Sequence, residues 1–484
     1  LYTAELQKAY RRPNKSVYIS YSVFIAVPLY VWCLPATLHD FFNTGLSMSQ
    51  PPLGLFAATR AIAAGTLAPQ DYVKQCYARA EETEPWLRAF VSRHALEDLL
   101  AQTGDGEWAG IPVGVKDLVA TRDLPTTNGS PIYADQMLDH DAPIVSKIRQ
   151  LGGVVFGKTV TTEFAFRQPG PTVNFWNRAH TPGGSSSGSA AAVAAGVVPI
   201  ALGTQTVGSV IRPAAFCGVV GLKASFGATP RAGVFPLSGS LDHVGFLARS
   251  VNDVAYAFNK LRNRSIAEPD AIVLPAVPMD EQTGIVPSAA PRLAWLKTPH
   301  DALVTTEQKE AMAKSVAAMR KAGAVVEEFS LPDAYWRGIE MLQCLLECEA
   351  GVIHADHFKN HAALLCESIA DLVKKGRNRT AYEYLEVRAA QQTLRHDMMN
   401  QLKGFDAILT IPATGAAPEG LGSTGDPVFC ALWSFLGLPA ITLPIARSAK
   451  GLPIGLQLVA PYKQDTHLMR VARWAELSLP IVAA

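Results

Sequence analysis

Between Arg292 and Val326 the chain spells a strand, a helix and a second strand in direct succession. Arg292 to Lys297 reads as a strand. Thr305 and Gln308 stand as a capping box at the head of a helix over 305–322, Gly323 sits just past its end, and Val325-Val326 begin the next strand. Parallel neighbours need such a crossover, so this unit places both strands in one helix-covered sheet. The same alternation recurs upstream. Pro69 opens a helix running to about Ala80, Asp141 is placed to cap another that ends near Gly152, and Val154-Val155-Phe156 follows as a short buried strand. The expected architecture is α/β with a largely parallel or mixed sheet. Only the stretch from about 333 to 402 breaks the rhythm. It is almost wholly helical, with Trp336, Met341 and Leu345 among its apolar positions, and reads either as a helical layer over the sheet or as an insertion covering a substrate.

The 484 residues suffice for a large core, and 43 Lys plus Arg against 42 Asp plus Glu leave no basic stripe for nucleic acid. Small-molecule chemistry is expected instead. Seven cysteines are scattered without a C-x-x-C pair, and Cys344 and Cys348, four apart on a helix, read as buried small hydrophobes in preference to metal ligands. That usage fits reduced thiols in a cytoplasmic compartment, with no metal or cofactor expected. The first 47 residues differ from the rest: no formal charge falls between Ser16 and Leu38, behind Lys8, Arg11, Arg12 and Lys15. They read as a leader that is a signal, an anchor or non-native, ahead of a domain over 48–484. A membrane association is expected only if residues 16–38 are a native anchor.

Three places carry chemistry-bearing residues. Thr181-Pro182-Gly183-Gly184-Ser185-Ser186-Ser187-Gly188-Ser189 runs straight into the apolar helix Ala190-Ala191-Ala192-Val193-Ala194-Ala195. A flexible linker does not enter a core helix in this way, and no Gly-Lys-Ser/Thr follows to make a phosphate loop. Such a loop offers free N–H groups, close approach and several hydroxyls. Ser209 stands 24 residues after Ser185. Lys116 is alone inside Ile111-Pro112-Val113-Gly114-Val115-Lys116-Asp117-Leu118-Val119, where it either reaches out as an ordinary ion pair beside Asp117 or is held neutral by burial.

Together these strings resemble the amidase signature family. The resemblance includes Gly208-Ser209-Val210-Ile211-Arg212-Pro213-Ala214-Ala215-Phe216-Cys217-Gly218, the run through Lys116-Asp117, and Leu436-Gly437-Leu438-Pro439 with Gly451-Leu452-Pro453-Ile454-Gly455 near the end. It spans roughly residues 50 to 475 in matching order and spacing. It implies a single large α/β/α sandwich around a twisted mixed sheet, with the mostly helical insertion at about 333–402 covering the site. It also implies a Ser–Ser–Lys triad: Ser209 as nucleophile, Ser185 as bridging serine behind a cis peptide from Gly184, and Lys116 as base. Thr206, Val207, Gly208 and Ser209 align with the segment whose N–H groups form the oxyanion hole.

The physics agrees with those roles, since a serine needs a base within reach and a desolvated lysine can supply a neutral amine. His243, the most tempting histidine, is then structural. Gly184, Ser186, Arg212, Trp336 and Met341 are the expected substrate contacts. Two departures bear on the substrate. Gln205-Thr206-Val207-Gly208-Ser209 replaces the common Asp-Thr-Gly-Gly-Ser, and Arg212 lies three residues after the nucleophile instead of two. Val207 adds bulk, and Phe429 and Trp433 could help wall an apolar pocket. Arg212 could pair with a substrate carboxylate or brace the loop.

Two functions follow. One is a stand-alone amidohydrolase, monomeric or homodimeric, cleaving a small neutral amide, carbamate or anilide. The alternative is the glutaminase-type amidase subunit of a transamidation complex. Because Thr229-Pro230-Arg231-Ala232-Gly233-Val234-Phe235 replaces the Ser-Arg-Tyr-Gly turn usual in that group, the sequence favours the first. The intact triad speaks against a non-catalytic binding homologue.

Overall fold

A computed structural model describes residues 49–479; the leader with its uncharged run, and Cys33 within it, lie outside the described residues. Eleven strands form one mixed sheet: β1 (Phe90–Arg93), β2 (Pro112–Lys116), β3 (Val154–Thr159), β4 (Ile200–Gln205), β5 (Val220–Lys223), β6 (His243–Ala248), β7 (Arg292–Lys297), β8 (Val325–Ser330), β9 (Ala407–Thr410), β10 (Ala440–Arg447) and β11 (Pro453–Val459). Their spatial order is β1-β3-β2-β4-β6-β5-β10-β11-β9-β7-β8. Every residue of β2, β3 and β4 is buried, as expected of parallel strands covered on both faces.

The covering helices include α1 (Pro69–Leu87), α2 (Pro143–Gln150), α3 (Ser187–Ala194), α4 (Ile211–Cys217), α5 (Val251–Leu261) and α6 (Thr306–Lys321). Helix α3 packs on β2, β3, β4 and β6 and against α4, while α2 and α5 cover β3 and β6. Helix α3 is buried on all sides. Its small residues let it lie close to the sheet, and a Cβ on Gly188 would meet the Ala89 carbonyl oxygen at 2.0 Å.

The β7–α6–β8 unit is parallel, with Arg292 opposite Val325 and Lys297 opposite Ser330. Thr305 accepts from the Gln308 N–H at 3.3 Å, but the Gln308 amide donates to Gly455 O at 2.9 Å, so only half of the expected capping box forms. Two other expectations are corrected. Asp141 does not cap α2, because its carboxylate takes the Arg122 N–H and the Arg149 guanidinium, leaving Ala142 as the uncapped first position. Helix α1 runs past Ala80 to Leu87, held by the buried Thr83 and Leu87 through Pro85.

The segment after Asp333 is helical throughout: Asp333–Trp336, then α7 (Gly338–Ile353), Ala355–Asn360, α8 (Glu367–Arg377) and α9 (Ala381–Gln401). It is tied to the loops at the carboxyl ends of the strands. Glu349 on α7 accepts from the Ser238 hydroxyl and the Ser240 N–H, and Glu163 accepts from the Cys366 N–H. Gln391 and Arg395 on α9 donate to the carbonyls of Phe435 and Leu436, which end α10 (Val428–Phe435). Cys344 is buried and Cys348 half-buried on α7. The last helix, α11 (Asp465–Ser478), packs on α5 and β10. No helix among the described residues is long and apolar enough to cross a membrane.

Candidate active site

The parallel strands β2, β3 and β4 all end on the same side of the sheet, where α/β folds collect their reactive groups. Lys116 is the last residue of β2 and is wholly buried. Its Nζ lies 2.7 Å from Ser185 Oγ, 2.7 Å from Thr204 Oγ1 and 3.4 Å from the Thr204 carbonyl oxygen. Burial drives its pKa well below the ordinary lysine value, against the weaker opposing pull of Asp242. An ion pair between Lys116 and Asp117, the ordinary alternative, does not form. Asp117 turns to the other side, accepts the N–H and hydroxyl of Thr127, and lies 3.7 Å from Lys158.

Ser185 follows the cis peptide from Gly184. Its carbonyl accepts the Thr162 N–H at 3.3 Å, and the next residue donates its N–H to the Ser209 carbonyl at 3.3 Å. The two serines are thereby joined through the 185–186 backbone. Ser209, at 9% exposure, sits between β4 and α4, and its hydroxyl makes no hydrogen bond among the described residues. Such contacts tighten when substrate arrives.

The loop from Thr206 to Ser209 turns its donors and acceptors in opposite directions. Three of its carbonyls are held: Val207 O by the Ser434 hydroxyl at 2.7 Å, Gly208 O by the Arg212 N–H at 3.0 Å, and Ser209 O as above. The N–H groups of these four residues donate to nothing among the described residues. Free, fixed donors beside a buried hydroxyl are what a developing oxyanion requires. Val207 alone in 201–210 is not fully buried. Gly208 has no such room: a Cβ there would meet Pro427 at 3.0 Å and Cys430 at 3.2 Å.

The expected substrate contacts separate. Arg212 is buried, donates from Nη2 to Gly184 O at 2.9 Å and Thr424 Oγ1 at 3.1 Å, and has no carboxylate in ion-pair range among the described residues. Burial brings its pKa down to about 10. These contacts hold Arg212 against the loop around Gly184. Ser186, also expected beside the substrate, staples the loop to β4, taking the Thr204 N–H and donating to the Thr204 carbonyl at 3.2 Å each. Trp336 is half-buried and packs edge-on to His300, which meets Phe429 of α10. Met341 is half-buried on α7. His243 is buried on β6, its Nδ1 2.6 Å from Leu241 O, and burial holds it far below the usual histidine range.

Four residues that shape this site were not singled out in the sequence. Thr204 meets the lysine. Gln205 and Ser434 hold the loop. Asp242, beside the histidine that did attract attention, accepts the Thr206 hydroxyl at 2.6 Å and the N–H groups of Leu237 and Ser238.

Comparison with known proteins adds the family. The amidase family model matches residues 71–469. The A subunit of glutamyl-tRNA(Gln) amidotransferase from Halothermothrix orenii is 31% identical over 85% of this chain and 94% of its own length. Among solved structures, the corresponding glutamyl-tRNA(Gln) amidotransferase protein of Thermotoga maritima superposes with a TM-score of 0.74 at 25% identity, covering 88% of this chain and 95% of its own. The peptide amidase of Stenotrophomonas maltophilia gives 0.76 at 26%, covering 88% and 96%. These relatives correct the expectation of a stand-alone enzyme, monomeric or homodimeric, for a small amide or carbamate. The 31% relative bears the name of one subunit of an amidotransferase, which favours the alternative reading, and carbamate and anilide substrates gain no support. The turn that had argued otherwise serves packing. Thr229 donates to Val244 O, Arg231 donates to Gly239 O, and the Arg231 guanidinium lies 4.4 Å from the Phe226 ring centroid. With its model matched over most of its length, the chain belongs to the amidase signature family of serine amidohydrolases.

Proposed function

We propose that this chain is the amide-cleaving subunit of a transamidation enzyme, hydrolysing the side-chain amide of glutamine and passing the ammonia to a protein partner. The observation that carries the chemistry is the buried contact of Lys116 with Ser185 and Thr204, next to a loop whose N–H groups are free. The amidotransferase subunits among its relatives support the partner.

In this reading Ser209 Oγ attacks the amide carbonyl and gives its proton to Ser185, whose own proton passes to the neutral Nζ of Lys116. The N–H groups at 206–209 hold the oxyanion, each donor typically worth about 2.7–4 kcal/mol. Collapse breaks the C–N bond, and the proton returns through Ser185 to the leaving nitrogen, which departs as ammonia. Water then attacks the Ser209 ester by the same relay and restores the enzyme.

The test is ammonia release from L-glutamine by the full chain, alone and after co-purification with whatever protein it captures, with anilides and aryl carbamates as controls. Glutamine turnover that rises with the partner and vanishes in Ser209→Ala is expected. Faster turnover of the controls than of glutamine, with no partner captured, would overturn the reading.

A further inference from the structure

We propose that Gln205 is the positioning residue that aims the oxyanion donors, through a two-ended amide clamp shared with Ser434. The proposal rests on the roles given above to Ser209 and to residues 206–209. Gln205 ends β4 and is wholly buried. Its Oε1 accepts the N–H groups of Val210 at 2.8 Å and Ile211 at 3.0 Å. Its Nε2 donates to Val207 O at 3.3 Å and to Ser434 Oγ at 3.0 Å, and Ser434 Oγ donates to the same Val207 carbonyl at 2.7 Å. One side chain thus grips the backbone on both sides of Gly208 and Ser209.

The geometry of the peptide bond turns that grip into aim. In a planar trans peptide the C=O and the following N–H point in opposite directions. Holding Val207 C=O toward Gln205 and Ser434 therefore sends the Gly208 N–H the other way, with its direction set by the clamp. The Val210 and Ile211 N–H groups are drawn back toward Gln205 and do not compete for the oxyanion.

Where the common pattern has the shorter aspartate, this chain has an amide long enough to reach both ends of the clamp. It carries a donor and an acceptor on one rigid head, whereas an ionised carboxylate accepts only. A carboxylate here would keep the Val210 and Ile211 contacts, repel the Val207 carbonyl, and set a negative charge beside the developing oxyanion. Ser434 lies 229 residues away on α10 and supplies the second donor to Val207 O.

The test is the rate at which a fluorophosphonate inactivates Ser209 in the full-length chain, which needs neither the substrate nor the partner. In that reaction the Ser209 Oγ–P bond forms, the P–F bond breaks, fluoride leaves, and the serine proton passes through Ser185 to Lys116. Gln205→Glu is the isosteric variant. At about pH 8 its inactivation rate constant should fall by about 10–100-fold with reagent affinity unchanged, a fraction of what losing an oxyanion donor costs. Taken as a ratio to wild type at each pH, the rate should recover about tenfold as acid protonates the introduced carboxylate and restores a donor. A merely structural defect would give no such recovery. A rate equal to wild type, or a loss independent of pH, would overturn the proposal. Should Gln205→Glu not fold, Ser434→Ala tests the other arm: about a 3–10-fold slower inactivation is expected for a weakened clamp, and an unchanged rate overturns it. Labelling of Ser209→Ala at the wild-type rate would instead break the underlying assignment of the nucleophile.

Discussion

Lys116 and Lys158 stand on neighbouring parallel strands, one register step apart, since Val115 pairs with Lys158 and Lys116 with Thr159. Both are wholly buried. Their partners differ. Lys158 has Asp117 at 3.7 Å, the Val119 carbonyl, and the hydroxyls of Thr121 and Thr126. Lys116 has two hydroxyls at 2.7 Å and no carboxylate in ion-pair range among the described residues. Burial lowers both, Lys158 to about 8 and Lys116 well below the ordinary lysine value. An acid beside the first keeps it a cation at neutral pH; hydroxyls beside the second leave it an amine. Equal burial thus yields a brace in one place and, in the proposed mechanism, a base in the other, and the partners decide which.

The largest expected effect breaks the base. Lys116→Met should lower turnover by about 10³–10⁶-fold, the range seen when one member of a catalytic triad is lost, and combining it with Ser185→Ala should cost little more. Lys158→Met should lower turnover far less per unit of stability lost. Steady-state rates beside thermal melts of both variants make the check, and equal catalytic losses at equal stability would erase the distinction.

Next comes the brace. Asp117→Asn leaves Lys158 buried without its anion, and breaking such a pair from one side costs about 3–5 kcal/mol. Denaturant unfolding should show that loss. A change below about 1 kcal/mol would mean that the threonines alone suffice for Lys158.

A third expectation separates the lysines by pH. Lys116 has a folded pKa far below its unfolded value of about 10.4, so over that window the unfolded chain binds a proton that the folded chain does not. Stability from this group therefore rises with pH, by about 1.4 kcal/mol per unit at most, up to about pH 10.4. Lys158 contributes the same sign only above its folded value of about 8. Lys116→Met should remove the slope just below about pH 8, where Lys158 is protonated in both states. An unchanged slope there would mean that Lys116 is charged in the fold. Activity should fall toward acid for the same reason, as the base takes up a proton.

What was readable in the sequence follows from how local each cause is. The β7 strand and the following helix were legible because their period, cap and terminal glycine all lie within 35 residues. The glycine-serine loop was legible because only small residues let α3 approach the sheet, as at Gly188. The isolated Lys116 was legible as an anomaly, though its partner was not. Asp117 lies next to it in the chain but faces Lys158, because adjacent residues at a strand end point to opposite sides. Asp141 misled because its carboxylate goes to the Arg122 N–H and to Arg149 of the same helix, and not to the helix's first N–H groups. Gln205 showed only as a departure from the common aspartate and Ser434 not at all, since their joint role exists only after α10 packs against the loop.

The smallest effect concerns a third buried cation. Arg212, like Lys116, has no carboxylate in ion-pair range among the described residues, yet unlike it cannot shed its proton usefully, since burial brings it down only to about 10. Two of its nitrogens, Nε and Nη1, are buried without a partner among the described residues, while Nη2 holds Gly184 O and Thr424 Oγ1. If bracing is its work, Arg212→Lys loses part of a fork fixed on a carbonyl and a hydroxyl, which costs about 1–3 kcal/mol of stability. The loss in kcat/KM should then be the same for two amides that differ only by a terminal carboxylate, because the arginine meets neither. A carboxylate seated against Nε or Nη1 would behave otherwise: the acid substrate would lose far more than its neutral twin, with little change in stability. Measuring the pair in wild type and Arg212→Lys distinguishes the two. The contacts with Gly184 and Thr424 favour the equal loss, since they already fix the guanidinium beneath the loop that carries Ser185.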